Sequence, residues 1–311
     1  MERRIAGRDG GRLVFGRETR RPPWLRKKRN LSDAVLCTKA KLHGSGLHTV
    51  CESARCPNLA ECFGRGVATI MILGEHCTRD CRFCAVDHGP PERADPREGE
   101  KIARFVRKVG ISFLVITSVT RDDLSDGGAS HFVDVTRTLR ALVPELAIEL
   151  LVPDFSGTDA SVVRVAELPI EVFGHNVETV RRLYSSARRQ ADYERSLSVL
   201  KTAGRVCGER TMVKSGIMVG LGETEEELLE LFGDLARTGV DILTIGQYLR
   251  PSRGNLEVFR YYRPEDFERL EQLALLAGVS AVKSGPYVRS SYLAEENCAE
   301  ARSKVSKKKI I

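Results

Sequence analysis

Six of the chain's nine cysteines lie between residues 51 and 84, as Cys51, Cys56 and Cys62 followed by Cys77, Cys81 and Cys84. Nothing else in the sequence constrains the fold as strongly. Residues 1–30 show no apolar stretch after the first charges that would serve as an export signal. They also contain no Ser and carry Glu2, Asp9 and Glu18, unlike an acid-poor, Ser-rich transit peptide. A cytoplasmic location is therefore expected, where thiols stay reduced. Clustered cysteines there read as metal ligands before disulfides. Packing alone is a poor reason for six thiols in so short a stretch.

The 311 residues carry a formal charge of +7, which invites a nucleic-acid reading. The charge is unevenly placed. Residues 1–30 hold 11 Lys/Arg against 3 Asp/Glu, residues 301–311 hold 5 against none, and residues 31–300 are left at −6. The body is mildly acidic, with no basic groove to expect and no nucleic-acid partner. The two basic ends read as solvated tails, or as steering elements toward an acidic partner. No apolar run approaches the roughly 18 residues a membrane helix needs, so no membrane partner is expected.

From residue 67 onward short apolar runs alternate with helical periods. Strands are expected at Ala68–Leu73, Ile111–Thr117, Ala147–Val152, Ile170–Phe173, Thr211–Val219 and Asp241–Gly246. They are apolar on both faces, as parallel strands covered by helices are. Helices are expected at Lys101–Val109, Ala129–Leu142, Tyr193–Ala203, Thr224–Thr238 and Pro264–Ala277. Thr224 reads as an N-cap with acids in the first turn, and Gly239 as the stop. About six strand–helix units make an α/β fold. They are too few for a closed eight-unit barrel, so the expectation is an open partial TIM-type (β/α)6 barrel with N- and C-terminal extensions. A doubly wound sheet is the alternative. The expected divisions are a basic extension over 1–30, a first cysteine segment over 31–66, the partial barrel over 67–285 and a C-terminal segment over 286–311.

Cys77-Thr-Arg-Asp-Cys81-Arg-Phe-Cys84 is a C-x3-C-x2-C array in the loop after the first strand, at the strand end where barrels place their chemistry. Three thiolates can hold three irons of a 4Fe-4S cluster and leave the fourth open to a ligand. A closed zinc site is the bland alternative, with His76 or His88 as fourth ligand. Thr117 and Ser118 end the second strand as candidate polar contacts, or as ordinary strand-end hydroxyls. Gly216-Ile-Met218-Val-Gly220-Leu-Gly-Glu223 offers small residues where an adenine could approach the backbone, or simply a tight turn.

With these motifs the chain resembles the radical S-adenosylmethionine (SAM) superfamily. C-x4-C-x5-C ahead of C-x3-C-x2-C is, within it, similar to the lipoyl synthase family. The likeness extends through Thr117-Ser-Val-Thr-Arg-Asp-Asp-Leu124, Leu151-Val-Pro-Asp-Phe155, His175-Asn-Val-Glu178, Lys214-Ser-Gly216, Gly246-Gln-Tyr-Leu249 and Arg289-Ser-Ser-Tyr292, from about Arg21 to about Glu296. Gly89-Pro90 lacks a basic residue often found there in the family.

The resemblance implies two 4Fe-4S clusters and SAM as cofactors. Cys77, Cys81 and Cys84 would hold the SAM cluster. Cys51, Cys56 and Cys62 would hold an auxiliary, sulfur-donating cluster, with a serine of Arg289-Ser290-Ser291-Tyr292 as fourth ligand; Ser291 is assigned, with Ser290 as the competing choice. Thr117, Ser118, Asn176, Glu178, Lys214, Gly216, Met218 and Gln247 are the implied SAM contacts, and Arg289 would order the serine loop. No side-chain acid or base is implied. The activity implied is insertion of sulfur at C6 and C8 of an octanoyl-lysine. The implied partners are octanoylated lipoyl carrier domains (E2 subunits and the glycine cleavage H protein), an electron donor such as ferredoxin or flavodoxin, and a cluster-assembly carrier. Another sulfur-inserting SAM enzyme and a zinc-binding nucleic-acid module are the competing readings. Cys37, Cys207 and Cys298 match no ligand position and are expected as packing or surface thiols.

Overall fold

A computed structural model of the chain describes residues 21–27, 32–208 and 210–308. Most of the basic extension expected over 1–30, and the last three residues of the C-terminal tail, lie outside the described residues.

One sheet of eight strands organises the chain: β1 (His48–Thr49), β2 (Thr69–Ile72), β3 (Phe113–Ser118), β4 (Ala147–Leu151), β5 (Val172–Gly174), β6 (Met212–Val219), β7 (Ile242–Gln247) and β8 (Ala281–Gly285). Their order in space is their order in sequence. β1 is antiparallel to β2, and every later neighbour pair is parallel. A doubly wound sheet would reverse strand order at a switch point. The uninterrupted order is that of a barrel wall, and it stays open at its β1 and β8 edges. All six anticipated strands are present. β8 adds a seventh parallel strand; Lys283 and Ser284 interrupt its apolar pattern.

The helices are α1 (Asp33–Gly44), α2 (Val50–Ser53), α3 (Leu59–Gly64), α4 (Glu98–Val109), α5 (Ala129–Leu142), α6 (Asp159–Ala166), α7 (Tyr184–Ala187), α8 (Tyr193–Val206), α9 (Glu225–Arg237), α10 (Pro264–Leu276) and α11 (Ala294–Lys308). α9 forms as its sequence dictates. Thr224 Oγ1 accepts from the Glu227 N–H at 3.3 Å, and Glu227 Oε2 accepts from the Thr224 N–H at 2.9 Å. Leu228, Leu231, Phe232 and Leu235 are then buried on one face. α6 was not anticipated; it has only eight residues, three of them Val, and so shows little helical period.

The strands supply the core: Ile70, Ile72, Leu114, Ile116, Ile148, Leu150, Phe173, Leu243 and Ile245 are all solvent-inaccessible. Cys298 and Ala301 of α11 pack on Val172, Met212, Ile242 and Ala281, the first residues of β5 to β8. α11 thus covers the N-terminal end of the sheet, which leaves the C-terminal strand ends as the accessible mouth. Cys298 has the packing role expected of it.

Candidate active site

The loop after β2 carries Cys77, Cys81 and Cys84 across that mouth, and the tops of neighbouring strands hold it. Cys77 Sγ accepts backbone N–H groups from Arg79 and Thr120, each at 3.4 Å, and Cys84 Sγ accepts the Val86 N–H at 3.4 Å. The Arg82 N–H donates to Ala187 O at 3.0 Å, the Asp80 N–H to Gln190 Oε1 at 2.8 Å, and Asn255 Nδ2 to Cys84 O at 2.7 Å. Arg79, between two of the cysteines, forks onto Asp122 and Asp154. Of the two histidines considered as zinc ligands, His76 is bonded to Glu92 at 2.5 Å, and His88 pairs with Cys77 through its backbone.

The first triplet sits beside the barrel. Cys51 is in α2, Cys62 in α3, and Cys56 in the turn between them. α3 is fixed from within by fully buried Phe63, whose carbonyl accepts from Thr38 Oγ1 at 2.8 Å. Its outer side meets the segment after β8. Tyr292 OH donates to Glu61 Oε1 at 2.7 Å, Asn58 Nδ2 to Tyr287 O at 2.6 Å, and Arg65 pairs with Glu296 at 2.6 Å. Lys27 bridges Asn58 and Glu61.

Glu178 joins the two regions. It follows β5 with a left-handed φ of 70°, unusual for a residue with a side chain, and backbone bonds to Gly216 and Met218 hold it there. Burial raises its pKa, while Arg188, Asn176 and Arg289 pull the other way. Arg188 also acts on Cys81, and Arg289 on Cys56. These three charged groups are deep in the protein yet only half-buried from solvent. They form one charged group between the cysteine arrays that solvent still reaches.

Several strand ends on this side of the barrel also carry polar atoms suited to a polar ligand. Buried polar atoms normally find a partner. Ser118 Oγ at the end of β3, His175 Nε2 and Thr179 Oγ1 after β5, Arg188 Nε, and Ser284 Oγ and Tyr287 OH at and beyond the end of β8 have none within the protein. Burial lowers His175 to a pKa of about 4, so its ring is neutral at pH 7. Thiol donors suit iron, and N–H groups aimed at sulfur suit a negatively charged cluster. Burial pushes Cys51 up to about 11, and Cys62 and Cys84 up to about 12. The metal must therefore displace those protons as it binds. Among the described residues no three His, Cys, Asp or Glu side chains converge on one metal ion. A 4Fe-4S cluster does not ask them to, since each thiolate takes a different iron.

The other expected SAM contacts divide. Asn176 donates to Glu178 at 3.0 Å and accepts from Ser290 Oγ at 2.9 Å. Gly216 lies against it, and a Cβ there would stand 2.8 Å from Asn176 Oδ1. Met218, half-buried near the end of β6, bonds through its N–H to Glu178 O at 2.8 Å. Thr117 Oγ1 is taken by Leu151 O at 2.9 Å. Lys214 stands apart: it is only the third residue of β6, and its ammonium bonds both oxygens of fully buried Glu149 at 2.8 and 2.9 Å. Gln247 is also committed elsewhere. Its amide donates to Val219, Tyr248 and Arg260 carbonyls and accepts from the Tyr262 N–H, bracing the ends of β6 and β7. Half-buried Ser291 directly follows Ser290, whose hydroxyl reaches Asn176. Sequence reasoning missed Arg79 and Arg188. A charged residue between two presumed metal ligands was the available signal for Arg79; Arg188 had none.

Comparison with known proteins agrees with this architecture. Residues 71–235 match the radical SAM superfamily. Among solved structures, methylornithine synthase aligns at a TM-score of 0.51 and 16% identity, covering 68% of this chain and 69% of that one. The FeFe-hydrogenase maturase HydG from Carboxydothermus hydrogenoformans aligns at 0.50 and 16%, covering 74% and 65%. The chain is a radical SAM enzyme, of a class that uses SAM together with an iron–sulfur cluster. Much nearer relatives are the lipoyl synthases of Caldanaerobacter subterraneus subsp. tengcongensis, 50% identical over 91% of this chain and 99% of that protein, and of Caldicellulosiruptor saccharolyticus, 47% identical over 90% and 98%. The chain belongs to the lipoyl synthase family, and its activity is sulfur transfer.

Proposed function

We propose that the chain inserts sulfur at C6 and C8 of an octanoyl group amide-linked to a lysine of a lipoyl carrier domain. The observation that carries this reading is the charged group between the two cysteine arrays, in which Glu178 is flanked by Arg188 near Cys81 and Arg289 near Cys56. An unactivated C–H bond calls for a radical, and the carbon radical then needs sulfur within reach; two cysteine arrays on either side of one charged group suit both needs. When bound, the clusters and SAM supply the electron, the 5′-deoxyadenosyl radical and the sulfur.

The chain's own residues bind and position. Cys77, Cys81 and Cys84 hold the SAM cluster; Cys51, Cys56, Cys62 and Ser291 hold the auxiliary one. Ser290 Oγ donates to Asn176, which favours the resemblance's choice of Ser291 over Ser290 as the serine for iron. Its oxygen is a harder, weaker ligand for iron than a thiolate, suiting a cluster that is dismantled. Ser118, Asn176, Glu178, Gly216 and Met218 contact SAM. Thr117, Lys214 and Gln247 support the barrel around it. In this division of labour, residues 31–66 form the auxiliary-cluster segment, 67–285 the SAM barrel and 286–311 the segment that brings the serine. The substrates are E2 and H-protein carrier domains, with a ferredoxin- or flavodoxin-type donor and a cluster-assembly carrier in support. The basic tails assist encounter with acidic carriers, and deleting residues 1–20 and 303–311 should raise KM at low salt only.

Anaerobic incubation of reconstituted protein with SAM, reductant and an octanoyl-lysine peptide tests the reading. Mass spectrometry should find the dithiolated peptide and 5′-deoxyadenosine. Zinc without sulfide in the purified protein, or cleavage of SAM with no sulfur in the peptide, would overturn it.

A further inference from the structure

The C-x3-C loop contains a charged residue that ought to prefer water. Arg79 lies two residues after Cys77 and two before Cys81, and its side chain is 4% exposed. Its Nε and Nη2 donate to Asp122 at 2.7 and 2.8 Å, and its Nη1 and Nη2 donate to Asp154 at 2.9 and 2.7 Å. Asp154 is itself fully buried. Burying an Arg against a fully buried carboxylate, with a second one at the surface, is not a cheap way to gain stability, because desolvation offsets much of the attraction. The arrangement calls for another reason.

The network's reach supplies one. Asp122 is two residues from Thr120, whose N–H donates to Cys77 Sγ. Thr78 knits the same strands of chain from the backbone side. Its N–H and hydroxyl donate to Thr120 O at 3.1 and 2.9 Å, and the Asp122 N–H returns to Thr78 Oγ1 at 3.0 Å. Arg79 contributes its own N–H to the same sulfur. Both amides on Cys77 therefore belong to segments that the Arg79 fork holds in place.

A second observation comes from the β4 side. Phe155 and Ser156 have left-handed φ values of 45° and 53°, a conformation disfavoured for residues that carry a side chain. Asp154 accepts the Ser156 N–H at 3.1 Å, and Ser156 Oγ donates to Asp122 Oδ1 at 2.6 Å. The strained turn is thus pinned by the two carboxylates that grip Arg79. Strain held this way marks a position the surrounding structure over-determines.

We propose that Arg79 is a positioning residue that sets how readily the SAM cluster accepts an electron, by holding the Arg79 and Thr120 amides on Cys77 Sγ. This rests on the assignment of that cluster to Cys77, Cys81 and Cys84. N–H groups on a cluster sulfur stabilise the reduced, more negative state and raise the potential. A lysine carries the same charge but has no planar fork and cannot grip two carboxylates at once.

The test is an EPR-monitored redox titration of the reconstituted full chain, with and without SAM, for wild type and Arg79→Lys. Only the SAM cluster's signal should change on adding SAM, so each midpoint can be assigned. At a fixed poise the variant should show a ratio of reduced to oxidised SAM cluster lower by on the order of tenfold, about 59 mV for one electron. Its iron content and the SAM-insensitive signal should be unchanged. A variant with a lower Tm, full iron and an unmoved SAM-responsive midpoint would make the clamp merely structural and overturn the proposal. Asp122→Asn, which weakens half the fork and keeps its volume, must shift the midpoint in the same direction; it serves alone if Arg79→Lys does not fold. If wild type shows no SAM-responsive signal, or Cys77→Ala retains it, the cluster assignment has failed rather than the clamp.

Discussion

The two cysteine arrays are held in opposite ways. The loop with Cys77, Cys81 and Cys84 is tied to residues beyond β3 and β4, to α7 and the turn after it, and to the segment beyond β7. Its strongest tie is the double fork of buried Arg79, one arm on fully buried Asp154 and the other on exposed Asp122. The array of Cys51, Cys56 and Cys62 rests on short helices, and its outer side is closed by Tyr287, Tyr292 and Glu296 from the segment that follows β8. Those contacts are half-buried or exposed, and exposed ion pairs contribute little. One cradle is tied into the barrel, and the other is closed on its outer side by the segment that follows β8. The contrast is what a permanent catalyst and a consumed sulfur donor would each require.

The sharpest way to break the comparison is to remove one ligand from each array. Cys77→Ala should abolish formation of 5′-deoxyadenosine. Cys62→Ala should leave SAM cleavage running and abolish sulfur insertion. Each should lower iron from about eight to about four per chain, one cluster's worth. Equal loss of SAM cleavage in both variants would mean that the arrays are not functionally separate.

Serine substitutions come next in size. Ser291→Ala should keep SAM cleavage near wild type while most sulfur insertion and auxiliary iron are lost. Ser290→Ala removes only the bond to Asn176, about 1 kcal/mol, and should cost no more than roughly tenfold in product. Reversal of that ranking, measured by iron content and mass spectrometry of the peptide, would exchange the two serines.

What the sequence made legible follows the same division. The cysteine spacings and six strands could be read because their signal is local: periodicity, turn residues and ligand spacing. β8 could not be read as easily, since Lys283 and Ser284 break its apolar run. Lys214 and Gln247 show a different limit. The resemblance implied SAM contacts for them; the sequence could not show that their polar groups bond Glu149 and the carbonyls at the ends of β6 and β7, because those partners come from elsewhere in the chain. For Lys214 a clue existed: Glu149, alone among apolar neighbours in β4, needs a buried cation. The latch of the first array was equally hidden, because Glu61 and Tyr292 are brought together across the whole barrel.

A smaller effect separates the arrays by pH. Burial would raise Asp154, but the hydrogen bonds and charge of Arg79 hold it down at about 2, against an ordinary 3.8. A lowered carboxylate contributes stability above its unfolded pKa and loses it as pH falls through the folded one. Asp154→Asn should therefore destabilise the protein by about 2 kcal/mol at pH 7, and the difference from wild type should vanish between about pH 4 and pH 2. Glu61 is also held low by Lys27 and Tyr292, but its side chain is 34% exposed, and screening should leave Glu61→Gln nearly neutral. Denaturant unfolding across that range checks both; a Glu61→Gln loss as large as that of Asp154→Asn would erase the distinction between a built-in cradle and a latched one.

The smallest change tests the latch itself. Tyr292→Phe removes one hydroxyl, and with it the 2.7 Å bond to Glu61. The ring stays, along with Asn58 to Tyr287 and Arg65 to Glu296. Global stability should fall by no more than about 1 kcal/mol, and SAM cleavage should be unchanged because no tie of the second array is touched. A chelator should nevertheless strip auxiliary iron up to about five times faster, since the population of an open state rises exponentially with the energy lost, about fivefold for 1 kcal/mol. Chelation rates followed by absorbance, with SAM-cluster iron as the internal reference, read this directly. If auxiliary iron leaves at the wild-type rate, the segment after β8 does not gate that cluster, and the first array must be held by α2 and α3 alone.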